Sequence, residues 1–220
     1  MLYQDAVVLL FAKAPVEGEV NTRLIPDIGV KAATELQHDL IHDRLSMLTG
    51  ARLFDVHLMC APDENNECFL QCGKQYPVTL FGQMGDDLGE RMYAGISHAL
   101  NNYKYCIVIG TDAPSLGIEA LKQVLERLQA GAEVVVVPAE DGGYVSIAMQ
   151  QAYEFLFQDI SWGSAEVMQQ TRNRLNEEKV SFEELPECWD VDRFQEPKPK
   201  PSNLKERIFK RCMTQRSQPV

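Results

Sequence analysis

The sequence predicts an α/β fold, a three-layer sandwich around a mostly parallel central sheet. Three observations predict it. Uninterrupted apolar runs of strand length recur at Ala6–Ala12, Tyr105–Ile109 and Glu133–Val137, the mark of strands covered on both faces. Segments with apolar residues at helical spacing alternate with them, as in a chain that crosses over between parallel strands. The 220 residues are 45% hydrophobic and 24% charged, which suits a globular chain long enough to bury its own core.

The elements follow in order along the chain. Ala6–Ala12 opens the sheet. Val30–Leu48 carries Ala33, Leu36, Leu40 and Leu45 near helical spacing and reads as a helix. Leu53–Met59 alternates like a strand, Glu64–Gly73 is a short helix and Val78–Phe81 a short strand. Asp87–Asn101 places Leu88, Met92, Ile96 and Leu100 on one helical face. The buried strand Tyr105–Ile109, the helix Ile118–Leu128 and the buried strand Glu133–Val137 come next, then a strand at Tyr144–Met149. Helices near Ala152–Phe157 and Ala165–Glu178 precede a strand near Val180–Leu185. The Pro-rich Glu196–Ser202 breaks regular structure, and Leu204–Met213 is expected as a terminal helix. The organisation expected is one domain over residues 1–195, with 196–220 as a Pro-rich segment and tail.

Charge and cysteine usage exclude several classes. There are 21 basic and 32 acidic residues, for a net charge of −11. Such a chain repels phosphate backbones, so nucleic acid is not the expected partner. No apolar run approaches the roughly 20 residues of a membrane span. Residues 1–5 carry no basic leader pattern, so the six cysteines are expected reduced in the cytoplasm. Cys68 and Cys72 stand four apart, not at zinc or redox spacing. No Gly-x-Ser-x-Gly elbow occurs.

In an open sheet of this kind, ligands bind past the carboxyl ends of the strands. Four segments fall at such boundaries. Phe11–Leu24 follows the first buried strand and carries Lys13, Gly18, Thr22 and Arg23. Its amides and two cations suit a diphosphate, and an ordinary surface loop looks the same. Gly110-Thr-Asp-Ala-Pro114 puts Asp112 at a strand end, where it either holds a divalent cation or caps the next turn. Pro138–Tyr144 contains Asp141, Gly142 and Gly143, a tight-turn signal that also allows close approach of a ligand. Asp190 and Asp192, two apart, share one side of an extended segment. There they either flank a cation or form a solvated acidic edge. In addition, Asp87 suits an N-cap of the helix that Gly85–Met92 opens, and that helix start favours anions.

Together these segments resemble one family. Phe11–Pro15, Gly18, Thr22–Leu24, Asp87–Met92, Ile109–Asp112, Pro114, Pro138–Tyr144, Trp162 and Asp190–Asp192 stand in the order found in the DUF2064 family, glycosyltransferase-like proteins of the GT-A, nucleotide-diphospho-sugar transferase fold. A more distant likeness is to phospholactate guanylyltransferases. The resemblance covers about residues 5–195. It implies a nucleotide or nucleotide-sugar site, a small-molecule acceptor and a Mg²⁺ or Mn²⁺ ion. By resemblance, Lys13, Gly18, Thr22 and Arg23 take the phosphates and Asp112 is the principal metal ligand, with Asp190 or Asp192 completing the set. Asp87 and Arg91 border the nucleoside, and Gly142 and Gly143 the sugar or acceptor. Asp141 or Asp192 orients or deprotonates the acceptor.

The chain also departs from that pattern. Glu17, Glu19 and Asn21 stand where the family's loop carries Pro, Arg and Lys. Lys13 and Arg23 are thereby cancelled by Glu17 and Glu19. A loop so neutralised holds a triphosphate poorly, since each charge-assisted contact is worth roughly 1.5–3 kcal/mol. Val145–Ala148 replaces a run usually rich in Tyr and Leu. The expected activity is glycosyl transfer from a nucleotide-sugar. Nucleotidyl transfer to a small phosphorylated substrate and a catalytically silent nucleotide- or partner-binding role are the alternatives.

Overall fold

The computed structural model describes residues 2–189; Asp190, Asp192, the Pro-rich segment and the expected terminal helix lie outside the described residues. Seven strands form one sheet: β1 (Ala6–Lys13), β2 (Asp55–Ala61), β3 (Thr79–Gly82), β4 (Tyr105–Gly110), β5 (Val134–Pro138), β6 (Tyr144–Met149) and β7 (Phe182–Glu184). Their spatial order is β3-β2-β1-β4-β6-β5-β7. Only β6 runs against its neighbours, pairing antiparallel with both β4 and β5. The mostly parallel sheet expected from the apolar runs is therefore present.

Helices α2 (Val30–Ala51), α3 (Glu67–Gln75), α4 (Leu88–Ala99), α5 (Ile118–Gln129) and α6 (Val167–Glu177) flank it, together with a four-residue helix, α1 (Ile25–Ile28). Alternate strand residues go to opposite faces. Val8, Leu10, Ile107 and Val135 join a core with Leu45, Phe69 and Leu125 from α2, α3 and α5. Val7, Leu9, Val108 and Val136 join a second core with Ile96 and Leu175 from α4 and α6. Both faces are buried, which is why the strands read as unbroken apolar runs rather than alternating ones. None of the helices among the described residues is long and apolar enough to cross a membrane.

Local chemistry sets the boundaries. Asp87 accepts a 2.8 Å bond from the Glu90 amide while Glu90 accepts one from the Asp86 amide, so the two side chains cap α4 reciprocally. Asn66 caps α3 through the Cys68 amide. Arg52, in left-handed conformation at φ 52°, ends α2 and delays β2 by two residues against expectation. Around Ala152–Phe157 only one 3₁₀ turn forms, at Glu154–Leu156. Tyr153, Leu156 and Phe157 are all buried there, so anchoring by tertiary contacts replaces continuation of a helix. The turn at Thr22–Leu24 and α1 were not expected; Pro26 lies in the first turn of α1, where its missing N–H costs nothing.

Candidate functional site

β1 connects to β2 on one side and sits beside β4 on the other. The chain therefore leaves the carboxyl ends of β1 and β4 in opposite directions, and a crevice opens between their loops. A cleft of about 440 Å³ occupies that place, a size suited to a small ligand. Its lining comes from the end of β1, the loop to α1, the end of β4, the β5–β6 turn and the segment around Trp162.

Of the residues singled out in the sequence, Lys13, Thr22, Arg23, Asp112, Asp141 and Gly143 all line this cleft. They come from four segments far apart in the chain. Gly18, Gly142, Asp87 and Arg91 are not among the lining residues. Gly18 is exposed, at φ +83°. Asp87 is engaged in capping α4, and Arg91 Nε donates to the Gly85 carbonyl at 2.9 Å, which holds the turn before α4. Asp190 and Asp192 lie outside the described residues.

The loop after β1 is held by Asn21 and Gln37. Asn21 is left-handed, at φ 48°, a conformation Asn tolerates better than most residues. Its side-chain amide donates to the Ala33 carbonyl at 3.0 Å and to Gln37 Oε1 at 3.4 Å. The departure at position 21 thus exchanges a cation for a pin onto α2. Gln37, buried in the apolar stripe of α2, donates to the Lys13 carbonyl and to Thr111 Oγ1. It ties the end of β1 to the end of β4. Gln83 does the same for β1 and β2, donating to the carbonyls of Ala12 and Met59. Arg23 Nη2 donates to the Gly163 carbonyl at 3.1 Å, joining the two walls.

Asp112 follows β4 directly and is exposed to the cleft. A methyl group on Gly110 would stand 2.4 Å from its Oδ1, so the bare glycine makes the space in which this carboxylate lies. The backbone beyond it is fixed by Arg44, whose side chain is fully buried. Arg44 donates to the carbonyls of Ala113, Leu116 and Pro114 and to the Asp43 carboxylate at 2.6 Å. Ser115 Oγ donates to the Trp189 carbonyl, which draws the chain just before Asp190 against the same loop.

The β5–β6 connection is a hairpin turn. Asp141 Oδ1 accepts from the Gly143 amide at 2.9 Å, an Asx-type closure. Gly142 has φ +93°, and a methyl there would meet the Ala165 carbonyl oxygen at 2.3 Å. Its own carbonyl accepts from the Met168 amide in the first turn of α6. Only glycine fits that close approach, so the Gly-Gly pair serves the fold by docking the turn on α6.

The charged lining is mixed: Lys13 and Arg23 face Glu19, Asp112 and Asp141. An anionic ligand in such a cleft needs an added cation. No group of three His, Cys, Asp or Glu side chains suited to a metal occurs among the described residues. One carboxylate with ligand phosphates and water is nonetheless a sufficient set for Mg²⁺. Tyr144, Ser146 and Trp162 complete the opposite wall.

Gln37, Gln83 and Arg44 escaped the sequence reading. The signal available was a polar residue inside an apolar helical stripe, present at 37 and 44 beside Leu36, Leu40, Ile41 and Leu45.

The family profile described as "Uncharacterized protein conserved in bacteria (DUF2064)" matches residues 44–164. No protein of curated function matches the chain. Among solved structures, the chain is similar to a protein of Desulfovibrio desulfuricans G20 provisionally described as a nucleotide-diphospho-sugar transferase. The TM-score is 0.78 at 26% identity, over 97% of this chain and 98% of that one. A cytidylyltransferase of Leptospira borgpetersenii shares the fold at TM-score 0.58 and 15% identity, over 99% of both chains. So does glucosyl-3-phosphoglycerate synthase of Mycobacterium tuberculosis, solved with Mn²⁺, uridine diphosphate and phosphoglyceric acid. It gives TM-score 0.50 at 10% identity, over 100% of this chain and 80% of that one.

Proposed function

The chain belongs to the DUF2064 family, and from that premise we propose that it is a nucleotide-using transferase whose reaction is glycosyl transfer from a nucleoside-diphosphate sugar. The observation that carries this reading is the convergence of Lys13, Arg23 and Asp112 in one cleft at the carboxyl ends of β1 and β4. The likeness to a nucleotide-diphospho-sugar transferase over nearly the whole chain supports it.

Lys13 and Arg23 are placed to take the diphosphate. Asp112 would hold Mg²⁺ or Mn²⁺ together with phosphate oxygens, and the ion, when bound, supplies neutralisation of the departing diphosphate. Glu19 in the cleft weighs against a triphosphate, whose extra charge would meet a carboxylate in place of a cation. The bond broken joins the sugar's anomeric carbon to the diphosphate, and the bond formed joins that carbon to an acceptor hydroxyl. Asp141, on the rim and oriented by the Gly143 amide, would receive the acceptor's proton. Asp190 and Asp192 remain candidates for the metal site, and Asp192 for the acid–base role. The net charge of −11 suits a small acceptor better than a nucleic acid.

Thermal shift with nucleoside triphosphates, diphosphates and diphosphate sugars, each with Mn²⁺ or EDTA, tests this reading. A ligand at 100 times its dissociation constant adds about 2.7 kcal/mol, roughly 5–10 °C for a chain of this size. The expected result is a Mn²⁺-dependent shift with diphosphates and their sugars. In Asp112→Asn that dependence disappears while melting of the unliganded protein is unchanged. Pyrophosphate release from a triphosphate would replace this reading with nucleotidyl transfer. Absence of any shift in folded protein would leave a silent binder.

A further inference from the structure

Three buried side-chain polar atoms without a hydrogen-bond partner gather on one wall of the cleft: Tyr144 Oη, Ser146 Oγ and Trp162 Nε1. Buried polar groups are normally satisfied, because an unmet donor or acceptor costs about 1–3 kcal/mol. The indole Nε1 abuts α4, where a methyl on Gly89 would stand 2.8 Å from it. The two hydroxyls have no such helix against them. Ser146 is 1% exposed, and burial pushes the Tyr144 phenol well above its ordinary range.

Their placement depends on a break in β6. Val137 pairs with Ser146, but Pro138 pairs with Tyr144, so Val145 is an extra residue on that strand. Val145 packs into the core on the α2 side, whereas Ile147 and Met149, which would share its face in a regular strand, pack on the α4 side. Bulges of this kind re-aim side chains beside functional sites. Here the bulge brings Tyr144 edge-to-face with Trp162, ring centroids 6.3 Å apart at 88°. The surroundings are apolar: Phe11, Leu88, Met92 and Val108 line the same part of the cleft.

We propose that Tyr144 and Ser146 are specificity residues that hydrogen-bond the hydroxyls of an uncharged pyranose ring, with the Tyr144 and Trp162 rings packing on its C–H face. This rests on the transferase reading for the ring's role, and the hydroxyl pair can be judged without it. The ring is either the donor's sugar or the acceptor. No charged side chain stands with the pair, so a neutral polyol is favoured over a sugar phosphate at this wall. It also accounts for Val145–Ala148, where the chain departs from the family's usual run.

The test compares wild type with Tyr144→Phe and Ser146→Ala. Without ligand, both variants should melt at the same temperature or up to about 4 °C higher, because each removes an unmet polar group. A lower melting temperature in both would show that the hydroxyls have partners within the protein and would overturn the proposal. Calorimetry with Mn²⁺ then uses UDP against UDP-glucose and GDP against GDP-mannose. Each variant should lose about tenfold in affinity for the sugar-bearing probe and nothing for the bare diphosphate. Equal loss on both probes, or none on either, overturns the proposal.

Saturation-transfer NMR with free glucose and mannose, with and without the diphosphate, separates the sources. A variant effect on the free hexose alone assigns the wall to the acceptor; one on the esterified sugar assigns it to the donor. If no nucleotide binds wild type, the transferase reading fails, and the hexose signal decides this proposal. A signal lost in both variants sustains it, and no signal in wild type overturns it.

Discussion

Arg44→Met removes the anchor of the loop that follows Asp112. The wild-type guanidinium is fully buried and holds the carbonyls of Ala113, Pro114 and Leu116, as well as the Asp43 carboxylate. Methionine is similar in length and apolar, so it fills the space without leaving a large void. It satisfies none of the three carbonyls, and Asp43, about one-fifth exposed, loses its cation. Each buried acceptor left unmet costs about 1 kcal/mol or more. The partly solvated Asp43 adds less than the 3–5 kcal/mol of a fully buried broken pair. The expected loss is about 3–5 kcal/mol in total. For a chain of this length that is a fall of roughly 6–20 °C in melting temperature, measured by circular dichroism. Arg44→Lys should recover only part of it, since one ammonium cannot span the guanidinium's fork of carbonyls. Mn²⁺-dependent nucleotide binding at a temperature where the variant is folded should fall as well, because the Asp112 loop loses its fixed backbone. A melting temperature within about 3 °C of wild type would refute the reasoning, since that corresponds to roughly 1 kcal/mol.

Two further outcomes are expected. Gly110→Ala places a methyl 2.4 Å from Asp112 Oδ1 and turns that exposed carboxylate aside. Melting should change by no more than about 4 °C, while titration should show a loss of roughly 10–100-fold in Mn²⁺-dependent nucleotide affinity; unchanged affinity would remove Asp112 from the site. His57, packed on Phe81 and Tyr103, has its pKa lowered by burial and secondarily by His98, against an opposing pull from Asp55. The unfolded chain therefore takes up this proton first. The stability due to neutral His57 is whole above the unfolded pKa of about 6.5 and is lost as pH falls toward the lower folded value. Urea midpoints should decline from pH 7.5 to 5.5 in wild type and less in His57→Gln, and equal slopes would dismiss this group.

Much of the fold was legible along the chain. The runs at Ala6–Ala12 and Tyr105–Ile109 announce strands buried on both faces, since no polar residue interrupts either period-2 face. The Asp141-Gly142 turn announces the hairpin that makes β6 the one reversed strand. Lys13, Thr22, Arg23, Asp112, Asp141 and Gly143 were legible as candidates because they follow strand-like runs, and the cleft gathers all six. Less was legible of what holds them. Asp87 was read at the nucleoside and also as an N-cap; the cap is the bond it makes.

The sequence by itself determined the alternation of buried strands and amphipathic helices, and the placing of polar loops at strand ends. Both follow from short-range periodicity, which is written locally. Tertiary structure alone decided that residues 13, 112, 141 and 162 share one cleft, because that depends on the strand order β1-β4-β6-β5 and hence on pairings between distant segments. It alone placed the bulge at Val145, which a single strand's pattern does not announce when the extra residue is as apolar as its neighbours. And it alone gave Gln37 and Arg44 their partners. A polar side chain within an apolar helical stripe signals that something must be satisfied, while the carbonyls that satisfy it lie tens of residues away and become neighbours only when the sheet closes over them.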